Sequence, residues 1–141
     1  MTKSLEDYIE EIHLLIRDNG QARVRDVARA IGVKMPSVVK AIAELKKLGL
    51  VTQEPYESIK LTEEGSRVAA MVLERHTILK AFLLKLGVGE ANAEKDACLM
   101  EHILSAETME RVREFLNGRA GRTAKEKTVK SNGDKKLAKR R

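Results

Sequence analysis

The chain has 141 residues, 34% charged and 43% hydrophobic, with 27 Lys and Arg against 21 Asp and Glu for a net charge of +6. One Cys excludes a disulfide framework, and 3% aromatics with no Trp leave packing to Leu, Ile, Val and Ala, which favours helices over a β-sandwich. No apolar stretch approaches the ~20 residues of a membrane span and the N-terminus lacks a signal-peptide pattern, so a soluble, cytoplasmic protein with no membrane partner is expected.

Residues 4–17 place Leu5, Tyr8, Ile9, Ile12, Leu15 and Ile16 at helical spacing behind a Ser4 cap, with Asp7 three residues on and Asn19-Gly20 as the stop. A short helix is predicted over 24–31, closed by Gly32. Another begins near Pro36, suited to a first helical position, and runs through Val38, Val39, Ile42 and Leu45 to Lys46-Lys47-Leu48-Gly49. The segment LVTQEPYESIKL reads as two short strands about a turn at Pro55–Ser58. Thr62 caps a long helix over 63–86 whose apolar stripe is Val68, Met71, Val72, Ile78, Leu79, Phe82 and Leu83. Helices over 91–104 and 106–117, the latter capped by Ser105, follow the Gly87/Gly89 break.

The predicted fold is therefore mainly α: an N-terminal winged helix–turn–helix with a β-hairpin wing over 1–70, a helical unit over 71–117, and a tail over 118–141. The tail carries ten Lys and Arg against two acids, net +8, whereas 1–117 is net −2. Its composition predicts disorder, read either as a solvated tail or as an arm that binds phosphates without sequence preference.

A winged helix implies double-stranded DNA as partner. Recognition falls to the helix at Pro36, whose exposed N-terminal residues are Lys34, Met35, Pro36, Ser37 and Lys40, since helix N-termini offer side chains to base edges and N–H groups to phosphates. Arg23 and Arg25 are candidates for backbone phosphates; Tyr56, Ser58 and Lys60 on the wing are placed to reach a flanking groove. Singly, each reads as an ordinary surface residue; the cluster carries the argument.

Three separate segments concentrate metal-ligand types. Asp7 and Glu10 sit at i, i+3 on the first helix, and Cys98, Glu101 and His102 sit at i, i+3, i+4, each set on one helix face. His76 is a lone imidazole on the long helix. Helical proteins build cation sites from such pairs on facing helices. Each residue also has a plain alternative: a small core cysteine, a structural histidine, acids drawn to a helix N-terminus. His13 has no such company and reads as structural.

The segments EDYIEEIHLLI, GVKMPSVVKAIAELKKLGLV, LTEEG, ERHTILKAFL and DACLMEHILS, taken in order over about residues 4–117, resemble the metal-dependent repressors: the diphtheria toxin repressor, the iron-dependent regulators and the manganese transport regulators. The resemblance implies a winged-helix reading domain, a homodimer built on the following helices, and a divalent cation between them that switches on operator binding. By position, it puts Asp7, Glu10, His76, Cys98, Glu101 and His102 on metal-ligand positions. Departures are visible. Cys98 stands where the manganese branch usually has a carboxylate, and Asp7 where the diphtheria-type branch has Met. Lys80 replaces the carboxylate that the iron branch's ancillary site needs, and Lys34 stands where relatives often carry a capping Ser. The short, basic tail predicts no third, SH3-like domain of the kind the longer iron regulators carry.

A mixed oxygen, nitrogen and sulfur set predicts Fe2+ or Mn2+ as the cation, Fe2+ slightly ahead, with Zn2+ and Co2+ binding in vitro. One or two ions per subunit both fit. The expected switch is electrostatic: Asp7 and Glu10 repel Glu101 across the domain junction until a cation reverses the sign. Fixing the first helix then fixes the spacing of two recognition helices, which a two-fold dimer needs at roughly 34 Å. The rival is a metal-independent winged-helix regulator that senses a small molecule. A metalloenzyme, suggested by the C-x-x-E-H spacing, lacks room for a substrate cleft, so no catalytic residue is expected. A nucleoid-type binder would use the tail.

Overall fold

A computed structural model describes residues 1–118; the basic tail, with its expected disorder and phosphate-binding arm, lies outside the described residues. The elements run α1 (Lys3–Asn19), α2 (Val24–Ile31), α3 (Met35–Lys47), β1 (Val51–Thr52), β2 (Lys60–Leu61), α4 (Glu63–Lys85), α5 (Glu90–Met100) and α6 (Ala106–Leu116). The architecture is mainly helical with one small antiparallel hairpin, and α2, α3 and the hairpin form a winged helix–turn–helix.

Local chemistry sets the helix ends. Thr2, not Ser4, caps α1: its extended backbone lets the hydroxyl accept from Leu5 N–H at 3.3 Å, and Ser4 already lies inside the helix. Gly20 closes α1 at φ 80°, donating to Ile16 C=O. Lys34 caps α3 without a side-chain bond, and Pro36 is the second helical residue, after Met35, where its missing N–H costs nothing. Thr62 does two jobs: its hydroxyl donates to Gly49 C=O at 2.7 Å and accepts from Gly65 N–H at 3.0 Å, tying the start of α4 to the end of the α3 turn.

In the hairpin Val51 faces Leu61 and Thr52 faces Lys60, and Ala22 adds a bridge to Ile59 that fastens the wing to the α1–α2 connection. Two apolar clusters flank α4. One, around Ile9, Ile12, Val27, Val38, Leu45 and Ile59, takes in Ala69; the other gathers Leu79, Leu83, Ala93, Ala97, Met109 and Val112. Phe82 and Phe115 pack edge to face at 5.5 Å between α4 and α6. Met71, expected in the buried stripe, is instead 55% exposed, because Ala69 and Val72 take the inward positions on that turn.

The last difference bears on the site. The α5 helix stops at Met100 rather than reaching 104. Ile103 and Leu104 N–H groups both turn back to Met100 C=O, and the Arg75 guanidinium donates to Leu104 C=O. Glu101 and His102 therefore stand at the start of a tight turn and not on a continuing helix face.

Candidate metal centre and nucleic-acid face

Three elements converge at the junction of the two apolar clusters. On α1 the buried edge is Leu5, Tyr8, Ile9 and Ile12, which leaves Glu6, Asp7 and Glu10 half-buried on its flank. On α4 the buried series Val72, His76, Leu79 and Leu83 puts an imidazole where an apolar side chain would otherwise pack. On α5 the residues against α4 are Ala93 and Ala97, both fully buried, and their small side chains let the helices approach closely enough for Glu94 and Cys98 to reach His76.

Glu101, only 2% exposed, is the hub. Its Oε2 lies 2.8 Å from His76 Nδ1 and its Oε1 3.2 Å from His102 Nε2. His102, with a fully buried side chain, meets Asp7 Oδ1 at 2.7 Å through Nε2 and Glu6 Oε2 at 2.6 Å through Nδ1. His76 Nδ1 also lies 3.6 Å from Cys98 Sγ, and its Nε2 lies 2.9 Å from Glu94 Oε1. The donors form three overlapping sets, each within 4.8 Å: Asp7, Glu101 and His102; Glu10, His76 and Glu101; His76, Glu94 and Cys98. All six residues singled out from the sequence are thus brought together. Glu94 and Glu6 were missed. Glu94 stands four residues before Cys98, a readable spacing, whereas Glu6 offers no pattern beyond adjacency to Asp7.

The electrostatics are those of a site short of positive charge. Burial, then Glu10, Asp7 and Glu6, push the Glu101 carboxyl up to about 9, so at neutral pH it holds a proton. Burial and the carboxylates of Glu101, Glu94, Glu10 and Asp7 push the Cys98 thiol up to about 11. His102 Nε2 is buried with no hydrogen-bond partner, although two carboxylate oxygens stand close to it. A buried imidazole nitrogen left without a hydrogen bond beside two carboxyl oxygens fits a cation at that point. Only one donor is soft, so the set suits a borderline divalent ion.

Away from this centre, the residues read as a DNA face lie where the sequence put them. Arg23 caps α2 and Arg25 stands in its first turn, with a loose 3.8 Å approach to Asp26. Lys34, Met35, Pro36, Ser37 and Lys40 are exposed along the start of α3, while Val38, Ala41, Ile42 and Leu45 hold its other face in the core. Lys60 and half-buried Ser58 lie on the wing, and Tyr56 stands fully exposed at its tip with φ 64°, a left-handed conformation uncommon outside glycine.

A winged helix joined to a cluster of buried Glu101, His76 and His102 side chains with the exposed Cys98 thiol at its edge defines a metal-dependent DNA-binding regulator. The iron-dependent repressor models match both parts: the N-terminal DNA-binding domain over residues 1–59, and the metal-binding and dimerisation domain over 62–121. Relatives agree. The transcriptional regulator MntR of Escherichia coli is 42% identical over 111 residues, covering 79% of this chain and 72% of that protein. An uncharacterised HTH-type transcriptional regulator of Methanocaldococcus jannaschii is 38% identical over 118 residues, 82% of this chain and 94% of that protein. The structure of the manganese regulator SloR superposes with a TM-score of 0.72 at 26% identity over 83% of this chain, which spans about half of that longer protein (55%).

The chain belongs to the iron-dependent repressor family. This family consists of transcriptional repressors and not enzymes, which sets aside the metalloenzyme reading of the C-x-x-E-H spacing and favours metal over a small-molecule effector. Among the described residues no helix is long and apolar enough to cross a membrane.

Proposed function

We propose that this protein is an Fe2+- or Mn2+-responsive repressor that binds operators of metal-homeostasis genes as a homodimer, with residues 1–70 reading DNA and 71–117 holding the metal and the dimer contact. The observation that carries this is the position of Glu101, buried between His76 and His102 and facing Asp7 and Glu10 of α1. These side chains belong to both halves of the molecule, so their spacing reports how α1 sits on the helical half.

Asp7, Glu10, His76, Cys98, Glu101 and His102 would hold the ion, which supplies the positive charge that the cluster lacks. With the ion bound, Glu101 would give up its proton and share the positive charge with Asp7 and Glu10, which draws α1 toward it. Since α1 packs on α2 and α3, its seating sets the attitude of the recognition helix. Lys40, Ser37 and Lys34 meet the major groove, Arg23 and Arg25 the phosphates, and Tyr56, Ser58 and Lys60 the flanking groove. The exposed apolar side chains Met71, Leu99 and Ile103 support a second copy docked on this half of the chain. Oxygen and nitrogen donors with one thiol suit Fe2+ and Mn2+, and likeness to a manganese regulator adds weight to Mn2+. Zn2+ and Co2+ are expected to bind in vitro.

The test selects sequences from a randomised duplex pool in Mn2+, then titrates the selected duplex with Fe2+, Mn2+ or chelator present. Tighter binding in either metal supports the reading. Equal affinity in chelator overturns it.

A further inference from the structure

Both imidazoles of the centre have a carboxyl oxygen close to each nitrogen, and in each case from different residues on the two sides. His102 offers Nε2 to Asp7 and Glu101, while Nδ1 meets Glu6 Oε2 at 2.6 Å. His76 offers Nδ1 to Glu101 and Cys98, while Nε2 meets Glu94 Oε1 at 2.9 Å. A neutral imidazole has one N–H and one lone pair, so a carboxylate that accepts from one nitrogen commits the other to the lone pair. Glu6 and Glu94 each stand on the far side of their ring from Glu101, where they claim the outward nitrogen.

Glu94 is itself pinned. Its second oxygen, Oε2, takes the Lys80 ammonium at 3.0 Å, and the same ammonium takes Glu90 Oε1 at 2.7 Å one turn earlier on α5. With the Lys80 ammonium on Oε2, Glu94 keeps Oε1 as an acceptor facing His76 Nε2. With one oxygen on an ammonium and the other on a ring N–H, Glu94 has little left to give a cation, although Glu94, His76 and Cys98 lie close enough together to form a donor set.

We infer that Glu6 and Glu94 are positioning residues that choose the ligating nitrogens, Nε2 of His102 and Nδ1 of His76, and that Lys80 keeps Glu94 in this role and out of the ligand set. The inference rests on the metal-centre reading above. Carboxylates that orient a metal-bound histidine through its other nitrogen affect metal affinity by about 10–100-fold. Here the two carboxylates come from opposite halves of the molecule, Glu6 from α1 and Glu94 from α5. The Glu6–His102 contact also joins α1 to the turn after α5 by a hydrogen bond that needs no ion.

The test uses the full chain with 15N-labelled histidine, loaded with Zn2+ as a diamagnetic probe, and long-range 1H–15N spectra that separate protonated, lone-pair and metal-bound ring nitrogens. The expected result is metal at His76 Nδ1 and His102 Nε2, with the proton on the opposite nitrogen of each ring. E94A and E6A should weaken Zn2+ binding by about 10–100-fold and blur the tautomer of the neighbouring ring. E94Q and E6Q should restore both, because the amide carbonyl accepts the same N–H. K80M should let Glu94 join the ligands and move metal toward His76 Nε2. Metal at the opposite nitrogens, or alanine variants with wild-type affinity and ring spectra, overturns the inference and leaves the metal centre standing. Wild-type rings that ignore Zn2+ overturn both.

Discussion

Asp7 on α1 and His102 in the turn after α5 bring Oδ1 and Nε2 to 2.7 Å, although they stand near opposite ends of the described chain. This pair is where the two halves meet, so removing it should separate metal binding from DNA binding. Metal should raise affinity for the selected duplex by about 5–150-fold in the wild type. In Asp7→Asn the increment should fall toward unity. Linkage demands that the duplex raise metal affinity by the same factor, which calorimetric titration of metal with and without DNA would check.

Glu101 gives the metal-free protein an unusual pH response. Its carboxyl is near 4.5 when unfolded and pushed up to about 9 when folded, so across that window the native state holds the extra proton. The contribution is fully present below about 4.5 and is lost as pH rises toward 9. Thermal midpoints of the chelated protein should therefore fall from pH 5 to pH 9, and Glu101→Gln, which stays neutral, should flatten that trend.

Metal loading should release protons for the same reason. Glu101 gives up about one at neutral pH, and Cys98, pushed up to about 11, gives up a second if its sulfur ligates. Titrations in buffers of different ionisation enthalpy count them. Cys98→Ala should lower the count by about one if the thiolate is a ligand and leave it unchanged if it is not.

Much of this was legible in the sequence because the signals are local. The bounds of α2 follow from its apolar spacing and Gly32, and Asp7 with Glu10 and Cys98 with Glu101 and His102 announce themselves by i, i+3 and i+4 spacing. What was not legible depends on packing. The early stop of α5 depends on Arg75 reaching across from α4 to Leu104 C=O, and the cap shifts from Ser4 to Thr2, two hydroxyl residues that sequence alone ranks alike. Lys80 reads as an obstacle to an ancillary site. That it neutralises Glu90 and Glu94 shows only when α4 and α5 are side by side. Glu6 is one acid in an acidic stretch until His102 turns to meet it.

Gly65 makes a prediction about the fold alone. It lies in the first turn of α4 with an ordinary helical backbone, but a Cβ there would run into Leu50 C=O. That carbonyl also accepts from Thr62 N–H at 3.0 Å, so it is fixed by the hairpin and has no room to retreat. Gly65→Ala should destabilise by about 1–3 kcal/mol despite alanine's better helix propensity. Urea unfolding at constant slope would measure it.

The DNA face can be tested through salt. Lys40 is exposed on the first turns of α3, beyond the buried Val38, and no acidic partner pairs with it among the described residues. If it meets a phosphate, Lys40→Ala should weaken binding to selected and scrambled duplexes alike and reduce the slope of log affinity against log salt by about 0.9. If it reads a base edge instead, the loss should fall on the selected duplex by about 1–3 kcal/mol while binding to the scrambled one barely changes. Loss in neither duplex would place the recognition surface elsewhere on α3, with Ser37 and Met35 the next residues to exchange.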